Sequence, residues 1–538
     1  MIFLSDRTGQ IRNITIILNN LTDNLVRRSG RLYAIFFLLI IALKWTFFSI
    51  PPVWDEAFSI FPAADFLVNH GFDYFLLLTQ PSYHEGGPTA HALSLLTLAS
   101  ALVLKITGGG TWAWVFLHVS QWLMAAAIGT ILTRIYRNLF DAVPAFLLTV
   151  ITLVYPLMLA QLGGMYVEVP LLFFSLLAFY HYRKEQIGLA SLFLAATCMT
   201  KASGVIAVGA LALSALCGYQ SKPIRKRFMN AFILASPAIV LVFALSVIRD
   251  NELSFATAYK CRDILNVIIY RNLSVYQNYI SYIPEIIVIV VTSIIISISL
   301  LSMNFYRHIK TGQKEKYIIT YNCFFLILFS IFHFVVYAYI QASDSHFLPR
   351  YFFFVIPSMF LVLYYAIDKI FKVTKIKVLL LLIIIGICLI NRNGMLYPSI
   401  PYSSIAMAER SEEYIDGFKV QKDYISMIEK VVSWNIPIYV SLPDYFLMHY
   451  AVSQYVQKPL PNVYFIGHVL KSEEYKFKYP EHFVLVYNYP WLGGAYIKRI
   501  IQDISRNKEF SFEVLGHFNK GYFSAYVFEV KKRQALSP

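Results

Sequence analysis

An acidic pair lies directly after the first membrane-length apolar segment of the sequence. Asp55 and Glu56 follow an apolar run that extends from Leu32 to about Ile50. A carboxylate at the end of a membrane helix carries a desolvation cost and must find a partner. Partial burial raises the pKa of a carboxylate, and such a group can act as a general base. Asp55 and Glu56 are therefore the first candidates for chemistry, and the alternative is an ordinary polar helix end. In a catalytic site Asp55 would be the base, while Glu56 either orients a substrate or faces solvent.

The composition indicates a polytopic membrane protein. The chain is 58% hydrophobic and 14% charged, whereas a soluble domain carries about 25% charged residues. Apolar runs long enough to span a bilayer recur between Leu32 and about Ile390. We expect an α-helical bundle of about 11 transmembrane helices. We divide the chain into an N-terminal segment 1–31, a membrane module 32–394 and a C-terminal domain 395–538.

The C-terminal region has the pattern of a small α/β domain. A helical period covers Lys422–Ser433, and strand patterns cover 436–442, 482–487 and 522–530. The five cysteines of the chain have no metal-ligand spacing. The sequence therefore predicts neither a disulfide framework nor a zinc site.

The distribution of charge predicts the topology and argues against nucleic acid as a partner. The net charge is +15, but the basic residues fall in short clusters between apolar segments, as the positive-inside rule requires. With these clusters inside, segment 1–31 is cytoplasmic and domain 395–538 is extracytoplasmic. The outer face then receives four sites, which are Tyr166–Glu168, Thr200–Lys201, Arg249–Tyr282 and Gln341–Arg350.

One part of this topology leaves two alternatives. Two apolar stretches, 91–106 and 112–133, separate Asp55 outside from Arg134 inside, although an odd number of crossings is needed. Either the first stretch is short, tilted or re-entrant with a bend at Gly108–Gly110, or the loop at Arg134 lies outside. We favour the first alternative.

The outer loop 51–90 combines interfacial helices with a polar turn. The stretches 56–69 and 72–78 are amphipathic, as helices that lie flat at a membrane interface are. Tyr83, His84 and Glu85 follow in a turn-rich block that ends at Pro88. This block is either a capped loop that opens a helix or part of a substrate site.

Further charged residues occur at the predicted outer ends of later segments. Glu168 precedes Pro170 at a helix start, where a carboxylate also complements the helix dipole. Lys201 interrupts an apolar stretch and must find an anion or extend to the interface. The other cationic or polar candidates are Arg249, Arg262, Arg271, His346, Arg350 and Tyr351. For each, anchoring or solvation is the alternative to substrate binding.

The order of these motifs resembles the GT-C glycosyltransferases. The resemblance is carried by the acid after the first span, the Tyr83-x-Glu85-x-x-Pro88 block, Glu168 before Pro170, the Thr200-Lys201 dyad, and Arg350-Tyr351 followed by Pro357. The most similar branch is that of the protein O-mannosyltransferases and the lipid A aminoarabinose transferase. The chain departs from that branch in two places. Glu85-Gly86-Gly87-Pro88 stands where Glu-Lys-Pro-Pro is usual, and the second acid is Glu168 rather than Asp.

The resemblance implies a GT-C fold in the inner (plasma) membrane and sugar transfer from a polyprenyl-phosphate carrier at the outer face. It implies catalytic roles for Asp55 and Glu168 and substrate contacts for the other candidates. The cations among these would stabilise the leaving phosphate. The acceptor is a lipid A, protein or glycan group, and no metal is expected to be required, since the sequence has no Asp-x-Asp pair. The alternative function is that of a lipid or solute transporter or flippase. A transporter would place charges at mid-membrane on broken, repeated helices.

Overall fold

The protein is mostly helical, with one small sheet near its C-terminus. The computed structural model describes residues 28–48, 60–79, 95–109, 111–217, 223–248, 325–333, 336, 353–371, 373–390, 420, 423, 427–428, 430–431, 434–440, 462–465, 480–489, 501–502, 504–506, 509–520 and 523–533. The chain divides into two compact units. The first comprises Met1–Trp45, Ser120–Leu162 and Tyr166–Ile400, and the second comprises Thr46–Val119, Gly163–Met165 and Pro401–Pro538.

The helices follow the apolar runs of the sequence. In chain order they are α1 (Ser29–Lys44), α2 (Phe61–Asn69), α3 (Tyr74–Thr79), α4 (Leu95–Thr107), α5 (Thr111–Arg137), α6 (Ala142–Val154), α7 (Pro156–Gln161), α8 (Glu168–Arg183), α9 (Ile187–Thr200), α10 (Val205–Leu216), α11 (Ile224–Ile248), α12 (Ile356–Ile370) and α13 (Thr374–Ile390). Residues 325–333 are also helical. The helix α2 lies within the predicted amphipathic stretch 56–69, and α3 overlaps the stretch 72–78 and ends one residue beyond it.

Two helices in the described part of the chain are long and apolar enough to cross a membrane by length and composition. They cover Ser29–Phe47 and Trp112–Arg137. Five other apolar helices in the described part of the chain are too short to count as candidate membrane spans, and α6, α9 and α10 are among them. The number of crossings expected from the sequence therefore stays a prediction.

The basic ends of three helices of the first unit meet at one end of the bundle. Arg134 Nη1, in the last turn of α5, donates to Tyr180 Oη near the end of α8 at 2.9 Å. Arg134 Nη2 also donates to Ser29 Oγ at the start of α1. These contacts bring together three of the clusters predicted to be cytoplasmic. Glu168 and Lys201 lie at the opposite ends of α8 and α9.

The helix α4 covers the described part of the first apolar stretch, 91–106. Residues 91–94 lie outside the described residues, so the choice between the two alternatives stays a prediction. Gly108 and Gly109 follow with positive φ angles of 64° and 91°. The Thr107 hydroxyl accepts from the Gly109 amide at 3.0 Å, which fixes the turn.

A five-stranded sheet forms the C-terminal part of the second unit. The strands are β1 (Ile438–Val440), β2 (Val463–Phe465), β3 (His482–Tyr489), β4 (Phe510–Lys520) and β5 (Phe523–Lys532), in the order β2-β1-β3-β5-β4. The strand β1 runs parallel to β2 and β3, and the β3-β5-β4 ladder is antiparallel. The three predicted strands are confirmed as β1, β3 and β5, while β2 and β4 were not predicted.

Candidate functional site

The first site residue, Glu168, begins helix α8. It is the first helical residue after Val167, and Pro170 lies in the same turn. The segment that leads into it is held by Trp122, whose indole Nε1 donates to the Leu162 carbonyl at 2.8 Å in the interior. The partial positive charge of a helix N-terminus stabilises a carboxylate at this position. Glu168 therefore lies where its negative charge complements the dipole of α8, as the sequence analysis considered.

The second site residue, Lys201, stands at a break between two helices. The helix α9 ends at Thr200, and Lys201 is extended at φ −159°, ψ 144°. A 3-10 turn, Ala202–Gly204, then leads into α10. A Cβ on Gly204 would lie 2.4 Å from the Thr197 carbonyl oxygen, so only glycine allows this turn to pack on α9. The Thr200 hydroxyl donates to the Ala196 carbonyl at 2.8 Å.

The two residues form a buried ion pair. Lys201 Nζ lies 2.9 Å from Glu168 Oε1, and the side chains are 10% and 1% exposed. The pair joins residues that were predicted separately, from motifs 33 positions apart. In the described part of the chain no group of three or more His, Cys, Asp or Glu side chains could hold a metal ion. Glu168 contacts the ammonium of Lys201.

A buried histidine, His333, packs against the segment that follows a third motif. Its ring stacks on Phe354 with centroids 4.3 Å apart, and its Nδ1 is 2.8 Å from the Phe329 carbonyl oxygen. Phe354 follows the Arg350-Tyr351 element by three residues. The sequence analysis did not identify His333, although a lone histidine inside the apolar run Phe324–Val336 is a detectable signal.

The late-span motif is also anchored by its proline. Pro357 lies in the first turn of α12, and its carbonyl accepts a hydrogen bond from Tyr136 Oη at 2.8 Å in the interior. Ser330 and Ser358 form a second link, with their hydroxyl oxygens 2.6 Å apart. These bonds fix α12 against α5 and against the helix that carries His333.

Most of the predicted site lies outside the described residues. This applies to Asp55, Glu56, Tyr83, His84, Glu85, Arg249, Arg262, Arg271, His346, Arg350 and Tyr351. Their assignments stay predictions. Of the predicted site residues, the structure describes Glu168 and Lys201 and brings them into contact.

The second unit contains a buried acid that sequence reasoning missed. Asp65 on α2 is 7% exposed, and burial raises the pKa of its carboxyl to about 6, against the smaller opposing effects of Asn69 and His70. Asn69 Nδ2 donates to Asp65 Oδ2 at 3.2 Å. Asp65 follows Phe61 by four residues, so it shares the apolar face of this amphipathic helix. A carboxylate on the apolar face of an amphipathic helix was therefore the signal in the sequence that could have identified Asp65.

Comparison with known proteins gives similar solved structures, among them two of ArnT. No protein-family model and no curated protein matches the chain. The structure of ArnT from Cupriavidus metallidurans bound to undecaprenyl phosphate matches at 10% identity, with 92% of this chain and 97% of that chain covered and a TM-score of 0.48. The apo structure of the same protein matches at 11% identity, with 91% and 97% covered and a TM-score of 0.46. ArnT is a lipid A aminoarabinose transferase of the GT-C superfamily.

Proposed function

We propose that this protein is an integral-membrane glycosyltransferase. It moves a sugar from a polyprenyl-phosphate-linked donor to a hydroxyl or phosphate acceptor at the outer face of the membrane. The acceptor is a lipid A, protein or cell-surface glycan group. The membrane is the inner (plasma) membrane, and domain 395–538 lies on the outer side. The motif order in the sequence supports the donor class.

The observation that carries this proposal is the buried pair Glu168–Lys201. Charged side chains within a membrane bundle are costly and typically functional. Replacing a buried ion pair by apolar residues of similar volume is often neutral or stabilising, so stability does not account for its presence. The pair also lies at the ends of α8 and α9 opposite the basic cluster of Arg134 and Lys184. Under the positive-inside rule that end faces outward, where the carrier presents its sugar.

The chemistry requires a base on the acceptor and positive charge at the leaving group. In the proposed step the acceptor oxygen attacks the anomeric carbon as the bond from that carbon to the phosphate oxygen breaks. Asp55 takes the acceptor proton, and polyprenyl phosphate leaves with the bonding electrons. A single displacement of this kind inverts the anomeric configuration.

In this mechanism Lys201 stabilises the charge that grows on the leaving phosphate. Glu168 holds the ammonium in place through the 2.9 Å contact. An ammonium has three N–H donors, so it can bond a carboxylate and a phosphate oxygen together.

Release of polyprenyl phosphate from a sugar-loaded carrier tests the proposal. The purified full-length protein is reconstituted in lipid vesicles with undecaprenyl-phosphate-linked sugars and a panel of hydroxyl and phosphate acceptors. We expect release that depends on the acceptor. Asp55→Asn should reduce the rate by at least about 100-fold, since a positioned general base contributes about 10²–10⁴-fold.

The control for this experiment is Glu481→Gln, which removes an exposed acid of the C-terminal domain and should leave the rate unchanged. Full activity in Asp55→Asn would reject the base assignment while leaving the transferase intact. No release with any donor, together with movement of the loaded carrier across the bilayer, would reject the transferase in favour of a flippase.

A further inference from the structure

A row of three rings crosses the C-terminal sheet on one face. Tyr487 on β3, Tyr526 on β5 and His517 on β4 are direct cross-strand neighbours. The rings of His517 and Tyr526 stack with centroids 4.1 Å apart and an interplanar angle of 11°. The rings of Tyr487 and Tyr526 have centroids 6.3 Å apart and an angle of 30°. Since neighbouring strands lie about 4.8 Å apart, the row is about 10 Å long.

A β-bulge places His517 in this row. With regular alternation, Gly516 and Phe518 would share the face of the sheet that carries Val514 and Tyr526. The bulge between Val514 and Gly516 shifts the register by one residue, so that His517 pairs with Tyr526 instead. Bulges often lie beside functional sites, where they re-aim a side chain. The register of β4 therefore brings an imidazole to a position where regular alternation would place no ring neighbour for Tyr526.

Polar side chains follow the ring row on the same face. Asn519 on β4 pairs with Ser524 on β5, and both lie two residues from the ring row, a spacing that keeps side chains on one face. Asn519 and His517 are exposed, and Ser524 is half-buried. On its other side the row borders the buried core of the sheet, against which Tyr487 packs. The face therefore changes from apolar through aromatic to polar.

We propose that these two rows bind a neutral pyranose ring of a glycan acceptor, a role that rests on the proposed function. Ligand sites combine aromatic surface with a few placed polar groups, and a pyranose has an apolar C–H face and a rim of hydroxyls. The C–H face lies on the exposed imidazole of His517, which the Tyr526 ring backs. The hydroxyls meet the Asn519 amide and the Ser524 hydroxyl.

The chemistry of the two rows distinguishes this ligand from others. Amide, hydroxyl and imidazole groups both donate and accept hydrogen bonds, as sugar hydroxyls do, whereas an anionic headgroup requires fixed cations. Cross-strand aromatic pairs also stabilise a sheet. That role alone requires neither an exposed ring nor the bulge that brings His517 to Tyr526.

Binding of neutral oligosaccharides to the full-length protein in detergent tests the proposal. An array of gluco-, manno-, galacto- and N-acetylglucosamine oligosaccharides selects the probe, and calorimetry then measures its dissociation constant. We expect the wild type to bind at least one of these series. His517→Ala should weaken that binding by about tenfold, since it removes one stacked ring contact. His517→Phe keeps a flat ring and should retain most of the affinity.

The matched control is Trp434→Ala, which removes another exposed ring and should leave the affinity unchanged. Trp434 precedes β1, whose first residue pairs with Val484 near the start of β3, whereas Tyr487 lies near the end of β3. Equal losses in Trp434→Ala and His517→Ala would overturn the site. A wild-type protein that binds none of the oligosaccharides would also overturn it, and so would a His517→Phe protein as weak as His517→Ala.

A second measurement on the wild type decides the question if a variant does not fold. Diethyl pyrocarbonate modifies exposed imidazoles, and peptide mass spectrometry gives the rate at His517. We expect the bound oligosaccharide to slow this rate while the rate at the exposed His70 on α2 stays the same. An unchanged rate at His517 under saturating oligosaccharide would overturn the proposal.

Transfer kinetics separate this site from the proposed function. With the bound oligosaccharide as acceptor, His517→Ala should raise KM for the acceptor by about tenfold and leave kcat nearly unchanged, because the ring contact is the same in the ground and transition states. Transfer without oligosaccharide binding at His517 would reject the site and leave the transferase. Binding at His517 without transfer from any donor would support the site and reject the transferase.

Discussion

The ammonium of Lys201 lies 2.9 Å from the carboxylate of Glu168, and both side chains are almost fully buried. Each residue occupies a boundary of its helix: Glu168 begins α8, and Lys201 follows the last residue of α9. Because α8 and α9 are joined by a short turn at their other ends, these two boundaries are adjacent. The antiparallel hairpin therefore makes the ion pair, and the pair then fixes where α9 ends.

The first prediction concerns the stability that depends on this pair. Lys201→Met and Glu168→Leu should each destabilise the protein by about 3–5 kcal/mol, because each leaves one buried charge without this partner. The double variant Glu168→Leu/Lys201→Met should lie close to the wild type, since no buried charge remains. Unfolding of the purified protein in detergent measures all four states of this cycle.

The control is Lys105→Met, because Lys105 is exposed on α4 and exposed substitutions change stability by about 0.5 kcal/mol or less. Additive losses in the double variant would mean that Glu168 and Lys201 do not interact energetically. In that case the 2.9 Å contact would not contribute the stability predicted for it.

The sequence was sufficient to identify Glu168 and Lys201 but not to pair them. A charge inside an apolar run is visible without a structure, because its desolvation cost demands an explanation. Which opposite charge it meets depends on how two helices pack, and no local pattern encodes that. His333 shows the same limit, since its contact with Phe354 depends on how two separate segments of the chain pack.

The sheet gives a second example of this limit. The strands β1, β3 and β5 were predicted because their apolar residues form short, β-branched or aromatic runs. The strand β4 was missed because of a bulge between Val514 and Gly516, which shifts its register against β5. The bulge interrupts the alternation of apolar and polar residues from which a strand is predicted.

The second prediction concerns the turn that follows Lys201. Gly204→Ala should destabilise the protein by about 1–3 kcal/mol, the usual cost of overpacking, because its Cβ would meet the Thr197 carbonyl oxygen at 2.4 Å. The backbone must shift to relieve this contact, and Lys201 shifts with it. Transfer activity should therefore fall together with the unfolding temperature.

Gly188→Ala is the matched control, since nothing lies within 4 Å of a Cβ at that position of α9. Alanine is favoured over glycine in a helix by about 0.5–1 kcal/mol, so this variant should be slightly more stable than the wild type. A Gly204→Ala protein as stable as Gly188→Ala would contradict the close packing of the 3-10 turn.

The third prediction is a pH dependence that arises from Asp65. Burial raises the pKa of this carboxyl from 3.8 to about 6, so the folded protein binds more protons than the unfolded chain between these values. The raised pKa of Asp65 therefore adds its full contribution to the free energy of unfolding below about pH 4. This contribution is lost as the pH rises through 6. After allowance for solvent screening the loss is about 1–2 kcal/mol.

Asp65→Asn should remove this slope and be more stable than the wild type at neutral pH. Asn69→Ala should enlarge the slope, because the Asn69 amide lowers the pKa of Asp65. Unfolding temperatures measured across this pH range compare the three proteins. Identical slopes in the wild type and in Asp65→Asn would assign the pH dependence to other groups.

The last prediction separates the catalytic role of the ion pair from its structural role. The double variant Glu168→Leu/Lys201→Met is expected to fold, since the apolar pair replaces the buried charges without leaving either alone. It has nevertheless lost the cation proposed to face the leaving phosphate. Removal of one such group from a preorganised site lowers kcat by about 100-fold or more. We expect that loss in the release of undecaprenyl phosphate, with little change in KM, because the charge it stabilises develops only in the transition state. A stable double variant with wild-type kcat would make the pair purely structural, and Lys201 would then be removed from the proposed mechanism.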